Sequence, residues 1–169
     1  MAMVSPQIQA LFLPPKDLPQ SCRSGLWDHR DSVNLEKCIN DRLRTLLNQK
    51  SFTSNFRKDG AKLQSILGSP NYSTLVGTLA ETARKYTSEN FSKSKHGGQS
   101  KSEQQILFFE VEKVLSVAIG YNVSSWQSAD PHQQSLACVI TRIVAASVGK
   151  GLSVNLRPVI KKSKKIVTL

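Results

Sequence analysis

The chain has few cysteines and no long apolar run, and each shortage excludes a class of protein. Three cysteines, far apart in 169 residues, do not form the framework of a disulfide-stabilised scaffold. No stretch approaches the roughly 18 apolar residues that a membrane-spanning helix needs. The apolar run 8–13 is stopped by Pro14-Pro15 and lacks a basic segment before it, unlike a signal peptide. We therefore expect a protein of the nucleus or the cytoplasm that is not secreted.

The residue patterns of metal and catalytic sites are also missing. Cys22, His29 and Cys38 are seven and nine residues apart, which is not the paired spacing of zinc ligands. Glu110 and Glu112 lie two positions apart, so they project on different sides of a helix and form no acid–base pair. We expect no metal, no cofactor and no catalytic residue. An enzyme with an unfamiliar active site is the weaker alternative.

Acidic residues are scarce, and their distribution is uneven. The chain has 12 Asp and Glu against 23 Lys and Arg, for a net charge of +11. Residues 102–148 carry a net charge of −2, whereas 149–169 contain six Lys or Arg and no acid. This asymmetry is typical of a packed core with basic extensions. Nucleic acid, an acidic partner and an anionic membrane surface are the counterparts that such a charge predicts.

Apolar side chains recur at helical spacing through most of the chain, and 39% of the residues are hydrophobic, enough for one core. The pattern predicts a mainly α fold, a single bundle of about five helices. The predicted helices are residues 33–48, 52–67, 74–90, 102–120 and a last one that starts at Asp130-Pro131. The segment 102–120 has the widest apolar stripe, so we expect it to be the core helix, paired with the last helix in a central hairpin.

Three regions follow from composition. Residues 1–31 hold four of the seven prolines and form an extended N-terminal arm, which six large apolar residues are expected to pin across the helices. These are Leu11, Phe12, Leu13, Leu18, Leu26 and Trp27. Residues 32–151 form the helical domain, with a flexible basic loop at 92–102. Residues 152–169 form a basic tail whose apolar residues alternate as in a strand.

Two basic segments are candidates for contact with nucleic acid. Residues 84–101 interleave cations with aromatic residues, which suits stacking on unpaired bases as well as contact with phosphates. Residues 161–165 concentrate lysines, which suits contact with phosphates. The candidate nucleic-acid-binding residues are Arg84, Lys85, Tyr86, Phe91, Lys93, Lys95, Lys101, Lys161, Lys162, Lys164 and Lys165. A competing interpretation places Tyr86 in the core, because it continues an apolar helical row, and leaves the lysines solvated. The run 161–165 is also typical of a nuclear-import signal.

These features predict a non-enzymatic nucleic-acid-binding protein whose partner is RNA or another single-stranded polyanion. The main alternative is a protein–protein adaptor or an oligomeric, matrix-like protein, of the kind found in viruses, that uses a wide apolar helical face. In that alternative, self-association accompanies lysine contact with an anionic surface. Attachment to an anionic membrane surface is the weaker third alternative.

Overall fold

The computed structural model describes residues 9–88, 91, 103–121 and 135–150. Within these ranges the chain forms five long helices and no strand, which confirms the mainly α prediction. The helices are α1 (His29–Leu47), α2 (Phe52–Ser65), α3 (Pro70–Tyr86), α4 (Glu103–Ile119) and α5 (Leu136–Ser147). A four-residue helical turn, Ser21–Ser24, precedes α1. The basic loop 92–102 and the tail 152–169, with its predicted strand pattern, lie outside the described residues.

Two helices begin four residues before their predicted starts. The side chain of Asp28 accepts a hydrogen bond of 2.7 Å from the backbone N–H of Asp31, so Asp28 caps α1. Pro70 is the first residue of α3, where a missing N–H costs no helical hydrogen bond. Our prediction that this helix starts at residue 74 was therefore wrong.

α5 is the central helix of the bundle, because it contacts all four other helices and only one of its 12 residues, Arg142, is not buried. The helix begins at Leu136, since Ser135 is extended and its side chain accepts a hydrogen bond of 3.1 Å from the N–H of Cys138. The predicted start at Asp130 is thus wrong for this helix. α4 packs against α5 as expected, but it lies further out, and Val117 on its surface is 89% exposed.

Residues 9–28 form a strap across the helices; residues 1–8 of the predicted arm lie outside the described residues, and residues 29–31 belong to α1. Arg42 donates from Nη1 to the carbonyl oxygen of Leu11 at 3.0 Å, and Leu11 is buried. The guanidinium of Arg142 lies 3.7 Å from the centre of the Phe12 ring, a cation–π contact. Two of the six expected anchors, Leu13 and Leu26, are exposed instead.

The strap is also fixed where α3 and α5 end. Trp27 donates from Nε1 to Oγ1 of Thr87 at 3.1 Å, and Cys22 donates from its thiol to the carbonyl oxygen of Val148 at 2.7 Å. Gly149 has a left-handed backbone with φ +77°, and a Cβ there would lie only 2.5 Å from Cδ1 of Leu18. Glycine suits this position through its backbone angle, and a side chain there would require the end of the Leu18 side chain to move.

Gly149→Ala is expected to lower the melting temperature more than Gly120→Ala. Gly120 is also left-handed, with φ +66°, but nothing lies within 4 Å of its added Cβ. Gly120→Ala thus reports backbone strain of roughly 1–2 kcal/mol, and Gly149→Ala adds the clash with Leu18. Thermal unfolding followed by circular dichroism measures the difference. Leu18→Ala should rescue part of the Gly149→Ala loss, and equal losses in both glycine variants would show that the strap does not pack here.

Candidate nucleic-acid interface

Three helix ends meet at one end of the bundle and are marked by Tyr86, Glu103 and Lys150. We term this group of residues the Lys150 junction. Lys150 follows α5 and donates from Nζ to the carbonyl oxygen of Tyr86 at 3.0 Å. The same Nζ lies 3.9 Å from Oε2 of Glu103, the first residue of α4. A single ammonium group therefore joins the end of α3, the start of α4 and the end of α5.

The junction follows from the polarity of helix ends. The last carbonyl groups of α3 carry partial negative charge and lack helical partners, so a cation there is favourable. Glu103 lies in the first turn of α4, where an anion is favoured. Nζ of Lys150 also lies 5.0 Å from the centre of the Tyr86 ring. The Lys150–Glu103 pair is part-exposed and contributes little by itself, so the carbonyl and ring contacts matter more.

Both predicted basic segments are attached at this junction. The loop 92–102 lies between Phe91 and Glu103, and the tail starts directly after Lys150. Residues 92–102 and 151–169 together hold eight of the 23 Lys and Arg and none of the 12 acidic residues. The lysines among them that we named as candidates lie outside the described residues, so their role in binding stays a prediction.

The two aromatic candidates are core residues in the structure. Tyr86 and Phe91 are 3% and 4% exposed, and their rings pack edge to face with centroids 5.3 Å apart. Burial raises the pKa of Tyr86 to about 12, and the nearby charge of Glu103 adds to this shift. Neither ring is open to a base in this conformation. The structure thus confirms the part of the competing interpretation that placed Tyr86 in the core, while the role of the lysines stays a prediction.

The two cationic candidates on α3 differ in their surroundings. Lys85 is exposed and lies 3.5 Å from the carboxylate of Glu81 one turn earlier, so its charge is partly compensated. Arg84 is half-buried. Lys150 was not among the predicted site residues, and it follows Gly149 at the end of α5. A cation just after a helix stop was the available signal.

No group of three or more His, Cys, Asp or Glu side chains could hold a metal ion among the residues that the structure describes. Cys22 bonds the carbonyl of Val148, Cys38 lies 3.8 Å from Oγ of Ser147, and His29 is exposed at the start of α1. In the same part of the chain, no helix is long and apolar enough to cross a membrane.

Glu112 is a buried ionisable residue whose burial the sequence did not lead us to expect. It is 1% exposed on α4, and neither carboxyl oxygen has a hydrogen-bond partner. Loss of hydration raises the pKa of Glu112 from its ordinary value of 4.5 to about 8. Glu112 lies between Phe108 and Leu115 on one apolar row, which was the signal for its burial. A lone buried acid is not a catalytic site, but it links folding to pH.

Stability should fall as pH rises from about 5 to 8.5, and Glu112→Gln should flatten this slope. The folded chain holds the Glu112 proton up to about pH 8, whereas the unfolded chain loses it near 4.5. The contribution of Glu112 to stability is therefore fully present below pH 4.5 and is lost progressively as the pH rises to about 8. Each pKa unit corresponds to about 1.4 kcal/mol. Urea unfolding at several pH values measures the slope.

Glu110→Gln is the matched control, since Glu110 lies near Lys113 on the same helix, and it should keep the parent slope. The pH range stops below 9 because the thiol of Cys138 on α5 titrates above it. Burial raises the pKa of that thiol, and the charge of Glu112 adds to the shift. A parent and a Glu112→Gln variant with equal slopes would contradict the assignment.

No protein-family model, no curated protein and no solved structure matches this chain.

Proposed function

We propose that the protein is a non-enzymatic nucleic-acid-binding protein that holds RNA, or another single strand, through its phosphate backbone. The observation that carries the proposal is the Lys150 junction, at which both acid-free basic segments are attached. Because the two segments are attached at the same end of the bundle, their cations can contact the same strand. Lysines that neutralise phosphates release condensed counterions, and this is a large source of affinity for nucleic acid.

The proposed contacts do not read sequence. Tyr86 and Phe91 are buried, so base stacking by these two rings does not contribute. Lysine contacts to phosphates position a strand without distinguishing its bases. The adaptor alternative needs a broad apolar surface, whereas α5 buries every apolar side chain it has. In the described part of the chain, large exposed hydrophobic side chains occur at Leu13, Leu26, Val33 and Val117.

Binding to an unstructured oligouridylate is expected to weaken steeply as the salt concentration rises. The variant Lys93→Ala/Lys95→Ala/Lys101→Ala should reduce both the affinity and the slope of log affinity against log salt concentration, the salt slope. The slope for a single strand is about 0.7 per phosphate contact, so three lost contacts lower it by about 2. Fluorescence anisotropy over a range of salt concentrations measures both quantities.

The charge-matched control replaces Lys16, Lys37 and Lys113, exposed residues that each have an acidic residue within four positions. This control triple should keep the parent slope. Absence of RNA binding by the parent at low salt would contradict the proposed function and favour the adaptor. A loop variant that binds like the parent would exclude the loop from the interface.

Deletion of residues 161–169 is expected to reduce affinity less than the loop variant does. The loop 92–102 is flanked by described residues on both sides, whereas residue 161 lies 11 positions beyond Lys150, the nearest described residue, so we expect each charge of the segment 161–165 to contribute less. The deletion should also move the protein from the nucleus to the cytoplasm, because it removes Lys161, Lys162, Lys164 and Lys165. Fusion to a cargo too large for passive diffusion tests this, and nuclear accumulation of the deleted form would contradict the import role.

A further inference from the structure

The outer face of α2 carries three exposed cations, Arg57, Lys58 and Lys62. Arg57 has a non-helical backbone, with φ 47° and ψ −121°, and marks a kink in α2. After it, successive helical positions about 100° apart place Lys58, Ala61, Lys62 and Ser65 on one side of the helix. The two small residues, Ala61 and Ser65, are exposed as well. We refer to this surface as the α2 basic face.

Packing on the opposite side of α2 fixes the direction of this face. Phe52 is buried, and its ring lies 5.1 Å from that of Phe56. A Cβ at Gly60 would lie 3.1 Å from atoms of both phenylalanines, so glycine lets the helix pack closely on this side. Gln64 donates from Nε2 to the carbonyl oxygen of Leu47 at 3.1 Å, which ties α2 to the end of α1. The cations are held on the outer surface as a result.

The cations of this face form no ion pair in the described ranges, in contrast to lysines on neighbouring helices. Lys85 and Lys113 each lie within 4 Å of a carboxylate on their own helix, at 3.5 and 3.7 Å. Asp59 lies at the half-buried edge of α2, where burial raises its pKa and Lys62 opposes that shift. With three exposed cations and one half-buried acid, the surface carries a net positive charge, which attracts polyanions.

We propose that the α2 basic face is a second contact surface for the phosphodiester backbone of the same nucleic acid. This inference rests on the proposed function. Helices that bind membrane surfaces place Trp, Phe or Leu beside their cations, and protein interfaces centre on buried aromatic anchors. The α2 basic face has only alanine and serine between its cations. Its chemistry suits solvated phosphates and does not select particular bases.

The α2 basic face and the Lys150 junction lie at opposite ends of α1. Trp27, just before α1, bonds Thr87, just after α3, whereas Gln64 bonds the last residue of α1. α1 has 19 residues, so its length of about 28 Å separates the two ends. Only a strand long enough to follow the side of the bundle contacts both surfaces. Affinity should therefore depend on the length of the RNA.

The test compares oligouridylates of about 3 and about 20 nucleotides, which bracket the usual site sizes of about 4–16 nucleotides in single-strand-binding folds. For the long oligomer, Arg57→Ala/Lys58→Ala/Lys62→Ala should lower the salt slope by about 2, while the control triple at Lys16, Lys37 and Lys113 keeps it. The α2 variant should also lose most of the affinity that the parent gains from the longer strand. Lys58→Ala/Lys62→Ala, which leaves the backbone at Arg57 unchanged, should show the same trend by a smaller amount.

Circular dichroism confirms that each variant is folded. An α2 variant with the parent slope overturns the inference and leaves the proposed function standing, whereas a parent that binds no RNA overturns the proposed function itself. Equal losses in the α2 variant and the control triple would also overturn the inference, since they would reflect net charge alone. A loss of binding to phosphatidylserine vesicles with unchanged RNA binding would assign the face to a membrane instead.

Discussion

Burial of α5 is the constraint on which the rest of the structure depends. Its apolar side chains point in all directions around the helix, so four helices and the strap are needed to cover them. Two of its polar side chains are satisfied within the helix, with Thr141 and Ser147 donating to carbonyl oxygens one turn earlier. Truncation of one buried Leu or Ile in such a core costs roughly 2–5 kcal/mol, far more than an exposed ion pair contributes.

The end of α5 also decides where the basic segments are attached. Cys22 and Leu18 of the strap pack at Val148 and Gly149, and Lys150 then joins α3 to α4. These contacts close the core at this end and hold Lys150, the last described residue before the tail, in place. The structural role of Lys150 and the proposed roles of the lysines beyond it are distinct. Lys150 donates a hydrogen bond to the carbonyl of Tyr86 and lies beside the carboxylate of Glu103, so its charge is used within the bundle. The loop and the tail contain no acidic residue that could compensate the charge of their lysines.

Glu112 and the α2 basic face show two consequences of where a charge lies relative to the core. The carboxyl of Glu112 has lost its hydration without gaining a hydrogen bond, so the neutral form is favoured. The cations of α2 remain exposed on the surface. A buried charge therefore changes the stability of this protein with pH, whereas exposed charges are available for a partner.

The sequence by itself determined the helical class, the approximate helix spans and the bound state of the N-terminal arm, because these follow from local apolar periodicity and proline content. Tertiary structure decided which helix is central, since α4 and α5 both have wide apolar stripes and only their packing partners distinguish them. It also decided that Tyr86 and Phe91 are core residues and that Lys150 bridges three helix ends. Those contacts join residues such as Tyr86 and Lys150, 64 positions apart, and no local pattern specifies them.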